Sequence, residues 1–170
     1  MYLDALEFLE EEREAWAPYE ALAELRDDQL EVPVADAHGW SGRDLMAHMV
    51  AWQAIALEIA TELAVHETSA TIARVDADWE ARGGEVVNAE LSAAWAARPL
   101  AELREAFRTQ PGELRGYLTV VPEIRWLKDA ATLRALSDET ISHYEEHAPD
   151  LRAILEATDA MGPGAAETGG

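Results

Sequence analysis

One run of apolar residues limits this chain's fold more than anything else in it. Leu45, Met49, Trp52, Ala56, Ile59 and Leu63 follow one another in alternating steps of four and three. That spacing draws a single apolar stripe down an α-helix, which other helices must cover. The start of the helix is also written out. In HGWSGRDL, Ser41 suits the N-cap and Asp44 stands at N3, a capping-box variant. Trp40 and Leu45 fall at the two positions of a hydrophobic staple. The period-two alternation of strands is nearly absent from the rest of the chain.

Residues 2–28 predict a first helix that turns Leu6, Leu9, Trp16, Leu22 and Leu25 inward, with Pro18 kinking it or ending an opening segment. Residues 27–39 read as a connection. Residues 70–97 predict a third helix carrying Val75, Trp79, Val87, Leu91 and Trp95, weakened at Gly83-Gly84. Pro99 can open a further helical segment to about Phe107, and Pro111-Gly112 punctuates a less regular passage to Pro122. The last helix begins between Trp126 and Asp138, with Leu133, Leu136, Thr140, Tyr144, His147, Leu151 and Ile154 inward. The expected fold is therefore all-α: an antiparallel four-helix bundle over residues 1–158, with additional short helical segments between the third and last main helices. The small, Gly-rich tail 159–170 is expected to be disordered.

Length and charge bound the function. A chain of 170 residues fits one domain with a sizeable core. Its formal net charge of −21 repels phosphate backbones and anionic lipid, so neither nucleic acid nor membrane is an expected partner. No apolar run approaches the ~18 residues that suggest a membrane span. The acidic opening MYLDALEFLEEEREAW does not resemble a signal peptide. With no cysteine there is no thiolate ligand or cysteine nucleophile, and the expected compartment is the cytoplasm.

Five histidines remain, and two of them, His143 and His147 in ISHYEEHAPDLRAIL, sit one helical turn apart. At that spacing both rings reach one face, close enough to share a cation at about 2.0–2.1 Å per nitrogen. His147 lies in the inward seam and His143 on its flank. His48 lies about 60° from the centre of the helix-two seam, on an edge facing a neighbour. If helices two and four are adjacent, three imidazoles from two helices meet and leave a fourth position open, as in a catalytic zinc site. The competing reading is that each ring is an ordinary interior histidine satisfied by backbone carbonyls. Trp52, one turn beyond His48, and Tyr144 are candidate pocket residues, though both also suit a core. Asp44, one turn before His48, is a candidate to orient that ring, besides its capping role. His38 and His66 are expected to be exposed.

GWSGRDLMAHMVAW, followed about 95 positions later by HYEEH, resembles the DinB superfamily of four-helix-bundle metalloproteins. In that family a Trp-Ser pair opens helix two, whose histidine binds a divalent metal, and an H-x-x-x-H pair on the last bundle helix completes the triad. The matching positions are Trp40-Ser41, His48, and His143 with His147. The resemblance implies a divalent metal, zinc first and nickel second. It also implies a low-molecular-weight thiol (mycothiol or bacillithiol type) as cosubstrate of an S-transferase or isomerase acting on small electrophiles. NAELSAAWAARPLAEL looks most like the mycothiol-linked branch. Two departures are expected from the maleylpyruvate isomerases: no counterpart of their extra C-terminal domain is read after the last helix, and His143 stands where some members use glutamate. A metal-dependent hydrolase and a non-enzymatic metabolite-binding bundle are the alternatives. A small molecule is the expected ligand, and pairing as a homodimer is left open.

Overall fold

The computed structural model describes residues 2–162, which hold nine α-helices and no strand. Asp4 caps the first helix, α1 (Ala5–Trp16), by accepting from the Glu7 N–H. Its buried stripe is Phe8, Glu12 and Trp16, whereas Leu6 is 62 % exposed. The continuous helix expected to residue 28 is broken. Pro18 opens a 3-10 turn, Ala17–Tyr19, followed by two short helices, α2 (Glu20–Glu24) and α3 (Asp27–Leu30). A second 3-10 turn, Ala35–Ala37, ends at His38 and Gly39, both left-handed, and returns the chain to the next helix.

That helix, α4 (Gly42–Val65), starts where the capping signal lies. Ser41 Oγ accepts from the Asp44 N–H at 3.2 Å, and Asp44 Oδ2 accepts from the Ser41 N–H at 2.9 Å. All six seam residues from Leu45 to Leu63 are buried, and so are many between them. Burial on nearly every side follows from the neighbours: α4 packs against α5 (Ala70–Arg82), α6 (Gly84–Ala96), α7 (Leu100–Val120) and α9 (Ile141–Asp159). α1 packs on α7 and α9 in turn.

Three expectations are corrected here. The third helix is two, because Gly83 adopts φ +82°, ψ 149°, a conformation closed to most L-residues. The passage around Pro111 is regular after all: α7 runs unbroken through it, with Leu103, Phe107, Pro111, Leu114 and Leu118 buried in one stripe. Proline forfeits one backbone hydrogen bond, and here its ring is part of the packed face. The last segment is divided as well. α8 (Ala130–Asp138) ends at Glu139, and α9 restarts after Thr140 and continues through Pro149. α9 extends one residue into the tail expected to be disordered, and residues 163–170 of that tail lie outside the described residues.

The core divides into two layers. One gathers Trp16, Tyr19, Leu30, Met46, Phe107, Tyr144 and Ile154, with Trp16 and Phe107 ring centroids 4.7 Å apart. The other gathers Phe8, Trp52, Ile59, Leu118, Trp126 and Ile141. No helix among the described residues is long and apolar enough to cross a membrane.

Candidate metal centre

α4 and α9 touch, and their contact brings His48 of α4 to His143 and His147 of α9. The three ring centroids lie 4.7–4.8 Å apart in every pairing. One nitrogen from each ring falls within 4.8 Å of the other two, and His48 Nε2 faces His147 Nε2 at 3.1 Å. Three histidines this close can hold a metal ion.

Each outer nitrogen of the closest pair is tied down. His147 Nδ1 lies 2.8 Å from Asp150 Oδ2 on the next turn of α9. A carboxylate oxygen accepts, so the contact orients the ring with its Nδ1–H on Asp150 and its Nε2 toward His48. Asp150 is 5 % exposed, so little water competes for that contact. His48 Nδ1 lies 2.9 Å from Ser92 Oγ on α6. Trp40 stacks on His147 with centroids 5.4 Å apart and tilts over His48 at 5.0 Å.

Burial pushes His48 down to about 4, helped by the neighbouring His147 and opposed by Asp150. Burial pushes His143 down to about 2, with His48 and His147 adding to the effect. Both rings are therefore neutral across the physiological range, the form a metal needs.

Two features test whether this set suits a cation. Two ligands at ~2.0–2.1 Å from a tetrahedral ion lie roughly 3.3 Å apart, near the 3.1 Å between the Nε2 atoms of His48 and His147. The second feature is His143. The residue is only partly buried, yet its Nε2 is buried and has no hydrogen-bond partner. A single proton can bridge His48 and His147 and leave His143 unsatisfied. A cation can serve all three, once His143 closes on the other two by a side-chain rotation. The donor set is three imidazoles and no thiolate, which suits a divalent transition metal without choosing among zinc, copper, iron and nickel.

The triad lies at the base of an open cavity of about 860 Å³, within the range of small-molecule sites. Trp52, expected as a pocket residue, does line it, and its Nε1–H donates to Asn88 Oδ1 at 2.8 Å. Tyr144 does not line it. The ring is 1 % exposed on the core side of α9, donating from its hydroxyl to Glu12 Oε1 at 3.1 Å and accepting from Gln53 Nε2 at 3.2 Å. Asp44 also stands apart from the proposed role, because its carboxylate is taken up by Ser41 while Ser92 holds His48. His38 and His66 are not part of the cluster.

Beyond the i, i+3 spacing of His147 and Asp150 on one helix, the sequence offers no sign that Ser92 and Asp150 belong to the site. It places Trp79 on a helix without showing that it lines the cavity. For Ser92, nothing in the sequence fixes how α6 faces α4. No protein-family model, no curated protein and no solved structure matches the chain.

Proposed function

We propose that this chain is a metalloprotein of the DinB type: a four-helix bundle of α1, α4, α7 and α9 that holds one divalent ion, zinc before nickel, on His48, His143 and His147. Its activity in this reading is thiol transfer or isomerisation on a small electrophile. The observation that supports it is the convergence of three imidazoles from two helices in the lining of a ligand-sized cavity. When bound, such an ion supplies Lewis acidity at an open position, where a thiol is deprotonated or a water is brought toward pKa ~7.

The chain's own residues do the rest. Asp150 accepts the Nδ1 proton of His147, which sets that ring's tautomer and strengthens Nε2 as a donor. Ser92 fixes the plane of His48. Trp40 lies against both rings and shields them from bulk water. The chain contains no cysteine, so in this reading the thiol nucleophile comes from a separate small molecule.

Metal content tests the first half. Protein purified without an affinity tag should carry about one zinc or nickel per chain, and His48→Ala and His147→Ala should each lose it. Unchanged content in both variants would overturn the ligand assignment. The second half is tested with a haloaromatic electrophile, with and without mycothiol. Turnover that needs no thiol would replace transfer with hydrolysis, and an absence of turnover would leave a metabolite-binding bundle.

A further inference from the structure

The walls of the cavity are unlike its base. Asp76, Glu85, Asp138, Glu139 and Glu146 line it, and no lysine or arginine does among the described residues. The arginines of α5 are engaged elsewhere: Arg74 pairs with Glu58, and Arg82 with Asp78 and Glu90. Arg134 of α8 shares a small side cleft of about 90 Å³ with Asp76, Asp138 and Glu139 but does not line the main cavity. Even with Glu139 largely protonated at pH 7, the four other carboxylates formally outweigh one divalent ion on the histidines, so the cavity stays anionic when loaded.

Aromatic rings complete the wall. Trp52 and Trp79 meet at a corner, with centroids 6.0 Å apart and planes at 64°. The Trp79 indole, itself 44 % exposed, packs so close to Gly84 that any Cβ there would collide with it. Indole faces attract cations, and a desolvated cation between such faces and carboxylates is held by both.

We propose that the cavity recognises a small organic cation, an alkylammonium or quaternary ammonium group, seated in the Trp52–Trp79 corner with Asp76, Asp138 and Glu139 as its counter-ions. The proposal deepens the reading of this cavity as the substrate pocket: the electrophile, or the molecule delivering it, carries a positive charge. Glu139 supports it separately. Burial first, and then the nearby Asp138 and Asp76, pushes its carboxyl up to about 8, and a cation bound beside it would favour the ionised form. A cosubstrate bearing carboxylates of its own, such as glutathione, is repelled by the same wall.

Two isosteres test the charge directly. Choline and 3,3-dimethylbutan-1-ol have nearly the same shape and differ in N⁺ against C. Binding is followed by tryptophan fluorescence and calorimetry on the full chain, zinc-loaded and chelator-treated. Choline should bind at least tenfold more tightly than the alcohol at low ionic strength, and salt should narrow the gap. Asp76→Asn with Glu139→Gln should lower choline affinity at least tenfold and leave the alcohol unchanged; Trp79→Leu should weaken choline while circular dichroism confirms the fold. Equal affinities, or no saturable choline binding at millimolar concentration, would overturn the proposal. Zinc content is measured on the same samples. Charge selectivity without bound zinc would defeat the metal reading alone, and zinc binding without charge selectivity would defeat this inference alone.

Discussion

The depressed histidines make a quantitative statement about stability. In an unfolded chain an imidazole titrates near ~6.5. In the folded protein His48 falls to about 4 and His143 to about 2. Below pH ~6.5 the unfolded chain therefore binds protons that the folded one refuses. The stability these neutral rings contribute is complete above that value and is lost as pH falls from ~6.5 toward the folded values. At pH 5, relative to pH 8, the loss is about 2 kcal/mol per ring, or about 4 kcal/mol for both. Nearly all of it is set by the unfolded value, so it depends little on where below pH 4 the folded groups titrate. Against a total stability of about 5–15 kcal/mol this is readily measured. Glu139 and Glu12, both raised by burial, act in the opposite sense, so the informative quantity is a difference between proteins. Urea unfolding of the chelator-treated wild type is compared with His48→Gln plus His143→Gln at pH 5, 6, 7 and 8. The wild type should lose about 4 kcal/mol more than the variant between pH 8 and pH 5. Parallel curves would mean that the rings are not held neutral, and the argument for a preformed ligand set would fail. Zinc at a hundredfold excess over its Kd should add about 2.7 kcal/mol to the wild type at pH 7.

Four further outcomes follow from single contacts. Asp150→Asn should weaken zinc binding about 10–100-fold in a chelator competition, because His147 loses the carboxylate that fixes its tautomer. Arg115→Met should destabilise the fold by about 3 kcal/mol in urea, since Arg115 Nη1 holds the 1 %-exposed Glu12 carboxylate at 2.6 Å. Glu139→Gln should stabilise the protein by about 1–2 kcal/mol at pH 8 and by little at pH 4, because the raised carboxyl loses folded stability as pH rises from its unfolded range through about 8. Gly83→Ala should lower stability by about 1–3 kcal/mol in thermal melts, since its φ of +82° with ψ of 149° suits glycine alone.

The helices that carry the triad were legible because their signals are local. The α4 stripe and its capping box depend on residues within a few turns of each other, and the same periodicity placed His48, His143 and His147 inward. What escaped depends on distant partners. The inward stripe of α1 runs through Glu12, which reads as a surface residue until Arg115, a hundred residues away, supplies its counter-charge. Leu6 and Leu9 were the better apolar choice on sequence alone, yet Leu6 is exposed. Pro111 reads as a break because the rule counts the lost hydrogen bond and cannot see the packed face that the proline ring joins. Tyr144 occupies a seam position, but the seam does not reveal that it faces the core network and not the cavity.

That network bears on the site through the geometry of one helix. Successive residues of α9 project about 100° apart, so Tyr144 reaches into the core between Glu12 of α1 and Gln53 of α4, while His143 and His147 turn toward His48. The Tyr144 ring is held by Glu12 and Gln53, and its backbone carbonyl accepts from the Tyr19 hydroxyl at 2.6 Å. Leu151 and Ile154 alone set the rotation of α9 weakly, because apolar contacts are non-directional. Hydrogen bonds are directional. A turn of α9 by about 20° carries a ring nitrogen ~6 Å from the axis through about 2 Å, enough to take His147 Nε2 from 3.1 Å to beyond any shared ion. We read the costly burial of Glu12 as what fixes that rotation: the carboxylate pins Tyr144, Tyr144 pins α9, and α9 presents its two imidazoles to the third.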